Sequence, residues 1–153
     1  MSLKQREVKK LLSEIYIAGP LFNSGERDQN LRIKAILEPH FLVHLPQLDG
    51  ALLPSLLKAG MPPYAARRRI FEDDVAAVRR CSVLLIVLNG RAVDESAAFE
   101  LGLAWSLGKL CFGFKDDFRQ LVADGDNPMI QGALNTIFGS FDDLAAWATE
   151  FTE

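Results

Sequence analysis

The sequence predicts an α/β fold, a five-stranded parallel sheet flanked by helices in three layers. Three observations predict it. Val83 to Leu88 (VLLIVL) is a continuous apolar run, the pattern of a strand buried on both faces of a parallel sheet. Comparable segments at Ile15–Gly19 (IYIAG), Phe41–Leu45 (FLVHL) and Lys109–Phe114 (KLCFGF) alternate with stretches of helical periodicity. The chain has 153 residues, which fits one domain spanning 1–153 and five strands in a flavodoxin-like order.

The first strand, Ile15–Gly19, runs directly into Pro20-Leu21-Phe22. Asn23 then opens a helix, with Glu26 three positions on in capping-box spacing. Leu31, Ile33, Ile36 and Leu37 are expected to form its apolar face, and Pro39 ends it. After the second strand, Phe41–Leu45, comes a stop at Pro46-Gln47. Leu48 to Pro63 holds a small helix candidate, Leu52–Ala59, among Gly50, Pro54, Gly60 and Pro62. A connection this long reads as a lid or specificity loop, or as a contact between copies that covers LLPSLL.

A helix is expected over Arg67–Cys81 (RRRIFEDDVAAVRRC), with Ile70, Val75 and Val78 inward. Asp74 lies three positions after Phe71 and four before Val78, so it is drawn towards the core side. The central strand follows, then the turn dipeptide Asn89-Gly90, then a helix from about Ala97 to Leu107 that Gly108 closes. Phe99, Leu103 and Leu107 share one face of that helix and Leu101 and Trp105 another. Glu100 is the charged exception. Asp94 stands six residues earlier on the loop. Both acids fall at the carboxyl end of a parallel strand, where such sheets bind ligands, and the helix N-terminus favours ionised Glu100. The competing reading makes them caps and dipole partners. A polar loop, Lys115 to Asn127, follows the fourth strand and carries Asp116, Asp117, Arg119, Asp124 and Asp126. Thr136–Phe138 is a short last strand, and Ser140 caps a closing amphipathic helix, Phe141–Phe151.

Composition excludes several classes. Seventeen Lys and Arg against 20 Asp and Glu give a net charge of −3, which argues against a nucleic-acid surface. The one basic cluster, Arg67-Arg68-Arg69, abuts acids and reads as a solvated helix start. Cys81 and Cys111 sit in apolar segments and read as core thiols rather than a disulfide framework. No apolar run approaches the ~18 residues of a membrane span. The charged first fourteen residues lack the apolar core of a signal peptide, so a cytoplasmic protein is expected.

The only two histidines, His40 and His44, show no metal-ligand spacing, and His44 reads as a satisfied core residue. There is no Walker A loop, GxGxxG or GxSxG. Carboxylates remain: Glu100, Asp94 and Asp74, with Tyr16 on the first strand. Paired acids suit displacement at an anomeric carbon, one as nucleophile and the other as proton donor to the leaving group, about 5–5.5 Å apart in a retaining arrangement. A tyrosine hydroxyl can hold the nucleophile by a hydrogen bond.

These residues fall in motifs. Tyr16-Ile17-Ala18-Gly19-Pro20-Leu21-Phe22 has the form YxAGPxF, Asp74 lies in FEDDVAAV, and Asp94 to Gly102 reads DESAAFELG. Gln47, Asp117-x-Arg119 and Asn127-Pro128-Met129 follow the second and fourth strands. In this order, over roughly Ile15–Ile130, the chain resembles the nucleoside 2-deoxyribosyltransferase family. The resemblance implies Glu100 as the nucleophile at C1′ of a 2-deoxynucleoside and Asp74 as the acid serving the base. Asp94 is implied in base or sugar contacts, and Tyr16 orients Glu100. Ala18, Gly19, Phe22 and Gln47 are implied to bind substrate, and Asn127 and Met129 to reach the sugar side of a neighbouring subunit's site. Hence a homo-oligomer with shared sites is expected. The partners implied are 2-deoxynucleosides and free nucleobases, with no cofactor or metal. The chain departs from the family pattern at Ser96, where members usually have Gly, and at Ala97, where they have Ser or Thr.

Two other functions fit the same residues. One is a glycosidase that splits 2-deoxynucleoside 5′-monophosphates, for which Ser24, Arg27 and Arg119 are the candidate phosphate contacts. The other is a non-catalytic nucleoside- or nucleotide-binding module.

Overall fold

The computed structural model describes residues 13–117, 119 and 125–152. In chain order the elements are β1 (Glu14–Ala18), α1 (Ser24–Leu37), β2 (Leu42–His44), α2 (Pro46–Asp49), α3 (Leu53–Lys58), α4 (Pro63–Arg80), β3 (Val83–Val87), α5 (Glu95–Ser106), β4 (Leu110–Phe114), α6 (Pro128–Gln131), β5 (Thr136–Phe138) and α7 (Phe141–Thr152). The strands form one parallel sheet in the order β2-β1-β3-β4-β5. This is the expected flavodoxin-like α/β architecture. The charged N-terminal stretch and Asp124 lie outside the described residues.

Strand alternation sorts the core into two layers, because successive side chains point to opposite faces. Ile15, Ile17, Val83, Leu85, Val87, Phe112 and Phe114 pack against Ile33 and Leu37 of α1 and Leu144 and Ala148 of α7. Tyr16, Ala18, Leu84, Ile86 and Cys111 point the other way, onto Ala77 and Val78 of α4 and Ala97, Leu101 and Ala104 of α5. Tyr16 is thereby committed to the α4–α5 face. Both cysteines are free and buried, as expected.

The capping box at α1 forms as read: Glu26 N–H donates to Asn23 Oδ1 at 3.0 Å, and Asn23 N–H donates back to Glu26 Oε2 at 3.2 Å. Past α5, Gly108 takes a φ of +71°, the left-handed conformation that ends a helix at little cost only for glycine. Ser140 Oγ accepts from Asp143 N–H at 3.1 Å at the start of α7. Arg68 and Arg69 are solvated and pair one turn on with Glu72 and Asp73.

The structure corrects other expectations. Helix α4 begins at Pro63, four residues early, because a proline at the first helical position has no amide proton to lose. Pro46 likewise starts the short helix α2 where only a stop was expected. Leu31 is exposed, and Asn30 takes the buried position beside it. Phe71, Phe99, Trp105 and Leu107 are also exposed, so the outer faces of α4 and α5 are apolar without being core. Among the described residues no helix is long and apolar enough to cross a membrane.

Candidate active site

Strand order reverses between β1 and β3, and a crevice opens beyond the carboxyl ends of the strands at such a point. Here the crevice is a cleft of about 190 Å³. Leu21 and Phe22 wall it after β1, Gly50 to Leu53 lie between α2 and α3, and Asp74, Asp94, Ser96 and Glu100 complete it. A second lobe of about 390 Å³ continues between α4 and α5 along Ile70, Phe71, Val75, Phe99 and Leu103. The lobes share Ile70, Asp74, Ser96 and Glu100, so the acids stand where they meet.

Each acid is placed by a different local cause. Asp94 is the N-cap of α5, its Oδ2 accepting from Ala97 N–H at 3.0 Å. Glu100 sits between Ala97 and Leu101, which are buried, and Phe99, which is not. It therefore lies at the edge of the buried stripe. Asp74 is half-buried on α4 beside Val75 and Val78. Tyr16, fully buried on β1, donates its hydroxyl to Glu100 Oε1 at 2.7 Å.

Electrostatics reverse one expectation. The start of α5 was expected to favour ionised Glu100. Burial outweighs it and pushes the Glu100 carboxyl up to about 8, with Asp74 and Asp94 adding repulsion while the Tyr16 hydrogen bond pulls the other way. Burial and the neighbouring Asp73 push Asp74 up to about 6. The Tyr16 hydroxyl is raised too, first by burial and then by the Glu100 charge, so it remains a proton donor to Glu100. Acids tuned apart in one cleft can hold and exchange a single proton near neutral pH.

The other sequence-predicted residues divide by position. Gly19 and Phe22 line the cleft, with Phe22 74% exposed and able to pack on a planar ligand. Ala18 is buried beneath them. A side chain at Gly19 would stand 3.0 Å from Val87 Cβ, so glycine lets the β1 end approach β3. Gln47 does not line the cleft. Its Oε1 accepts from Asn30 Nδ2 at 3.0 Å, and its Nε2 donates to the Arg27 carbonyl at 3.2 Å. Asn127 caps α6 by accepting from Met129 N–H at 2.9 Å, and Met129 is 83% exposed, away from this cleft. Ser96 has no strained backbone, since no described non-glycine residue has a positive φ. Its side chain lines both lobes.

Sequence reasoning missed Ile70 as a cleft wall, while Gly50–Leu53, inside the stretch read as a lid or specificity loop or as a contact between copies, lies along the cleft. It also read His44 as satisfied, whereas His44 Nε2 is buried without a partner and the ring stacks on Tyr16. Among the described residues no group of three or more His, Cys, Asp or Glu side chains could hold a metal ion.

Fold and cleft together define a doubly wound α/β protein with its acids gathered at the switch point. Residues 15–144 match the family model described as nucleoside 2-deoxyribosyltransferase, and the chain belongs to that family, an enzymatic one. A conserved protein from Enterococcus faecalis V583 superposes with a TM-score of 0.73 at 23% identity, covering 92% of this chain and 99% of that one. A 2-deoxyribosyltransferase from Bacillus psychrosaccharolyticus gives 0.70 at 20% identity, over 87% of this chain and 90% of its own. The CMP N-glycosidase of Clostridium botulinum gives 0.52 at 14% identity, over 91% and 99%. At such identities the likeness is one of fold. No curated protein matches the sequence.

Proposed function

We propose that this chain, acting as one domain, exchanges the base of 2-deoxynucleosides through a covalent deoxyribosyl-Glu100 intermediate. The observation that carries the reading is the Tyr16–Glu100 hydrogen bond of 2.7 Å, made in a cleft that Asp74 and Asp94 also line. A carboxyl raised to about 8 beside one raised to about 6 leaves the pair sharing one proton near pH 7. Moving that proton from Glu100 to Asp74 creates nucleophile and acid together, with no exchange with solvent.

The Glu100 carboxylate oxygen then attacks C1′. The C1′–N bond breaks, its electron pair stays on the base nitrogen, and Asp74 protonates the base. An incoming base reverses the sequence: its nitrogen attacks C1′, its proton returns to Asp74, and the ester bond to Glu100 breaks. Tyr16 steadies the carboxylate, Asp94 contacts base or sugar, Phe22 covers the base above Ala18 and Gly19, and Ser96 sets the fit beside it. Gln47 serves the base wall through Asn30, whose Nδ2 also donates to the Pro20 carbonyl at 2.9 Å, next to Gly19 and Leu21 of the cleft. Asn127 and Met129 serve a neighbouring copy's site in a homo-oligomer.

The monophosphate glycosidase draws less support. Of its candidate phosphate contacts, Arg119 is paired with Asp117, and Arg27 Nη1 donates to the Leu21 carbonyl at 3.1 Å. The deciding experiment incubates the protein with deoxyinosine and adenine. Deoxyadenosine is expected. Free deoxyribose would mean the hydrolase, and unchanged substrates across several bases and 5′-phosphates would mean a binding module.

A further inference from the structure

We propose that His44 is a positioning residue that holds the Tyr16 hydroxyl on Glu100 by stacking on the tyrosine ring. The inference rests on the catalytic reading of Glu100 given above. In the parallel pairing of β1 with β2, Tyr16 stands directly opposite His44. The two rings lie 5.1 Å apart between centroids and 14° from parallel. Aromatic pairs in such arrangements contribute about 0.5–1.5 kcal/mol beyond the area they bury. Tyr16 needs such a wall, because its hydroxyl must sit within hydrogen-bond reach of one carboxylate oxygen.

The imidazole is itself fixed from outside the sheet. Arg80 Nη2 lies 3.5 Å from His44 Nδ1, and Arg80 Nε donates to both carboxylate oxygens of Glu14, at 2.8 and 3.0 Å. Besides Tyr16, stacked on it, the ring is faced by Glu14 from β1, Asp49 from α2 and Arg80 from α4. Burial, with Arg80 adding to it, outweighs the two acids and keeps the ring neutral. Its Nε2 is buried with no partner, an arrangement that costs stability. Against that cost stands the contact of its ring with Tyr16. A line of contacts thus runs from Glu14 through Arg80, His44 and Tyr16 to Glu100.

The test compares His44→Phe, which keeps a stacking ring without nitrogens, with His44→Leu, which fills the site without one. Both substitutions leave a side chain of comparable size at the position, so neither result hinges on an emptied core. His44→Leu is expected to lose roughly 2- to 10-fold in kcat with KM little changed, and His44→Phe to return close to wild type. A readout free of turnover accompanies it: NMR titration of the carbon-labelled Glu100 carboxyl. Tyr16 lowers the Glu100 midpoint by its hydrogen bond, so loosening Tyr16 should raise that midpoint by roughly half to one unit in His44→Leu and not in His44→Phe. Equal midpoints in the two variants, or equal kcat, would overturn the role of the ring. Wild-type protein that neither exchanges bases nor releases sugar would end the catalytic reading, while the titration still judges the stack.

Discussion

Tyr16 and Glu100 lie 84 positions apart and meet in a 2.7 Å hydrogen bond, one from the sheet and one from the helix packed on it. The bond joins a fully buried ring to a carboxyl that burial alone would keep neutral. Removing it isolates its contribution. Tyr16→Phe keeps the ring and its stack, but loses a donor whose bond to a charged group is worth about 1.5–3 kcal/mol. Base exchange should fall roughly 10- to 100-fold in kcat while the fold persists. Undiminished turnover in Tyr16→Phe would remove the tyrosine from the mechanism.

The pH profile follows from the two raised acids. At low pH both are protonated and no nucleophile exists; at high pH both are ionised and no proton is available for the departing base. The dependence of kcat/KM should therefore be a bell, with limbs near pH 6 and pH 8. A profile flat from pH 5 to pH 9 would contradict it.

The same burial makes Glu100 a burden on stability. A carboxyl held near 8 in the folded chain and near its ordinary value of 4.5 when unfolded favours folding below pH 4.5 and loses that advantage as pH rises through 8. Glu100→Gln keeps the shape and an acceptor for Tyr16 but removes the titration. Thermal melts should show it more stable than wild type at pH 9 by a few kcal/mol, and nearly equal at pH 4. A variant no more stable at pH 9 than wild type would show that Glu100 is better hydrated than its surroundings imply.

Asp94 has two roles to separate. Its cap to Ala97 N–H is lost in Asp94→Ala, which should cost about 1 kcal/mol of stability. Asparagine caps as well as aspartate, so Asp94→Asn should melt like wild type. Slower exchange in Asp94→Asn then assigns chemistry to the charge. Unchanged exchange would leave Asp94 a cap and nothing more.

How much of this was legible beforehand depends on the kind of signal. Strands β1, β3 and β4 announced themselves as apolar runs, and Asn23–Glu26 and Gly108 marked helix ends through chemistry confined to a few residues. The acids could be placed at one rim because parallel topology gathers the strand ends there. Three things were not legible. Apolar periodicity does not separate core from uncovered surface, so Phe71 and Phe99 read as interior. The protonation of Glu100 depends on how much protein surrounds it, which no local pattern reports. The pairing of His44 with Tyr16, and the capture of Gln47 by Asn30, depend on which residues stand opposite after folding.

Ile15 pairs with Val83 across the middle of the sheet. Hydroxyl and carboxyl are brought together only once chain ends far apart have closed a long loop, so no fragment shorter than β1 to α5 can assemble the pair. During refolding, helical signal should recover ahead of catalysis, which waits for the central strands to dock and for copies that share sites to assemble.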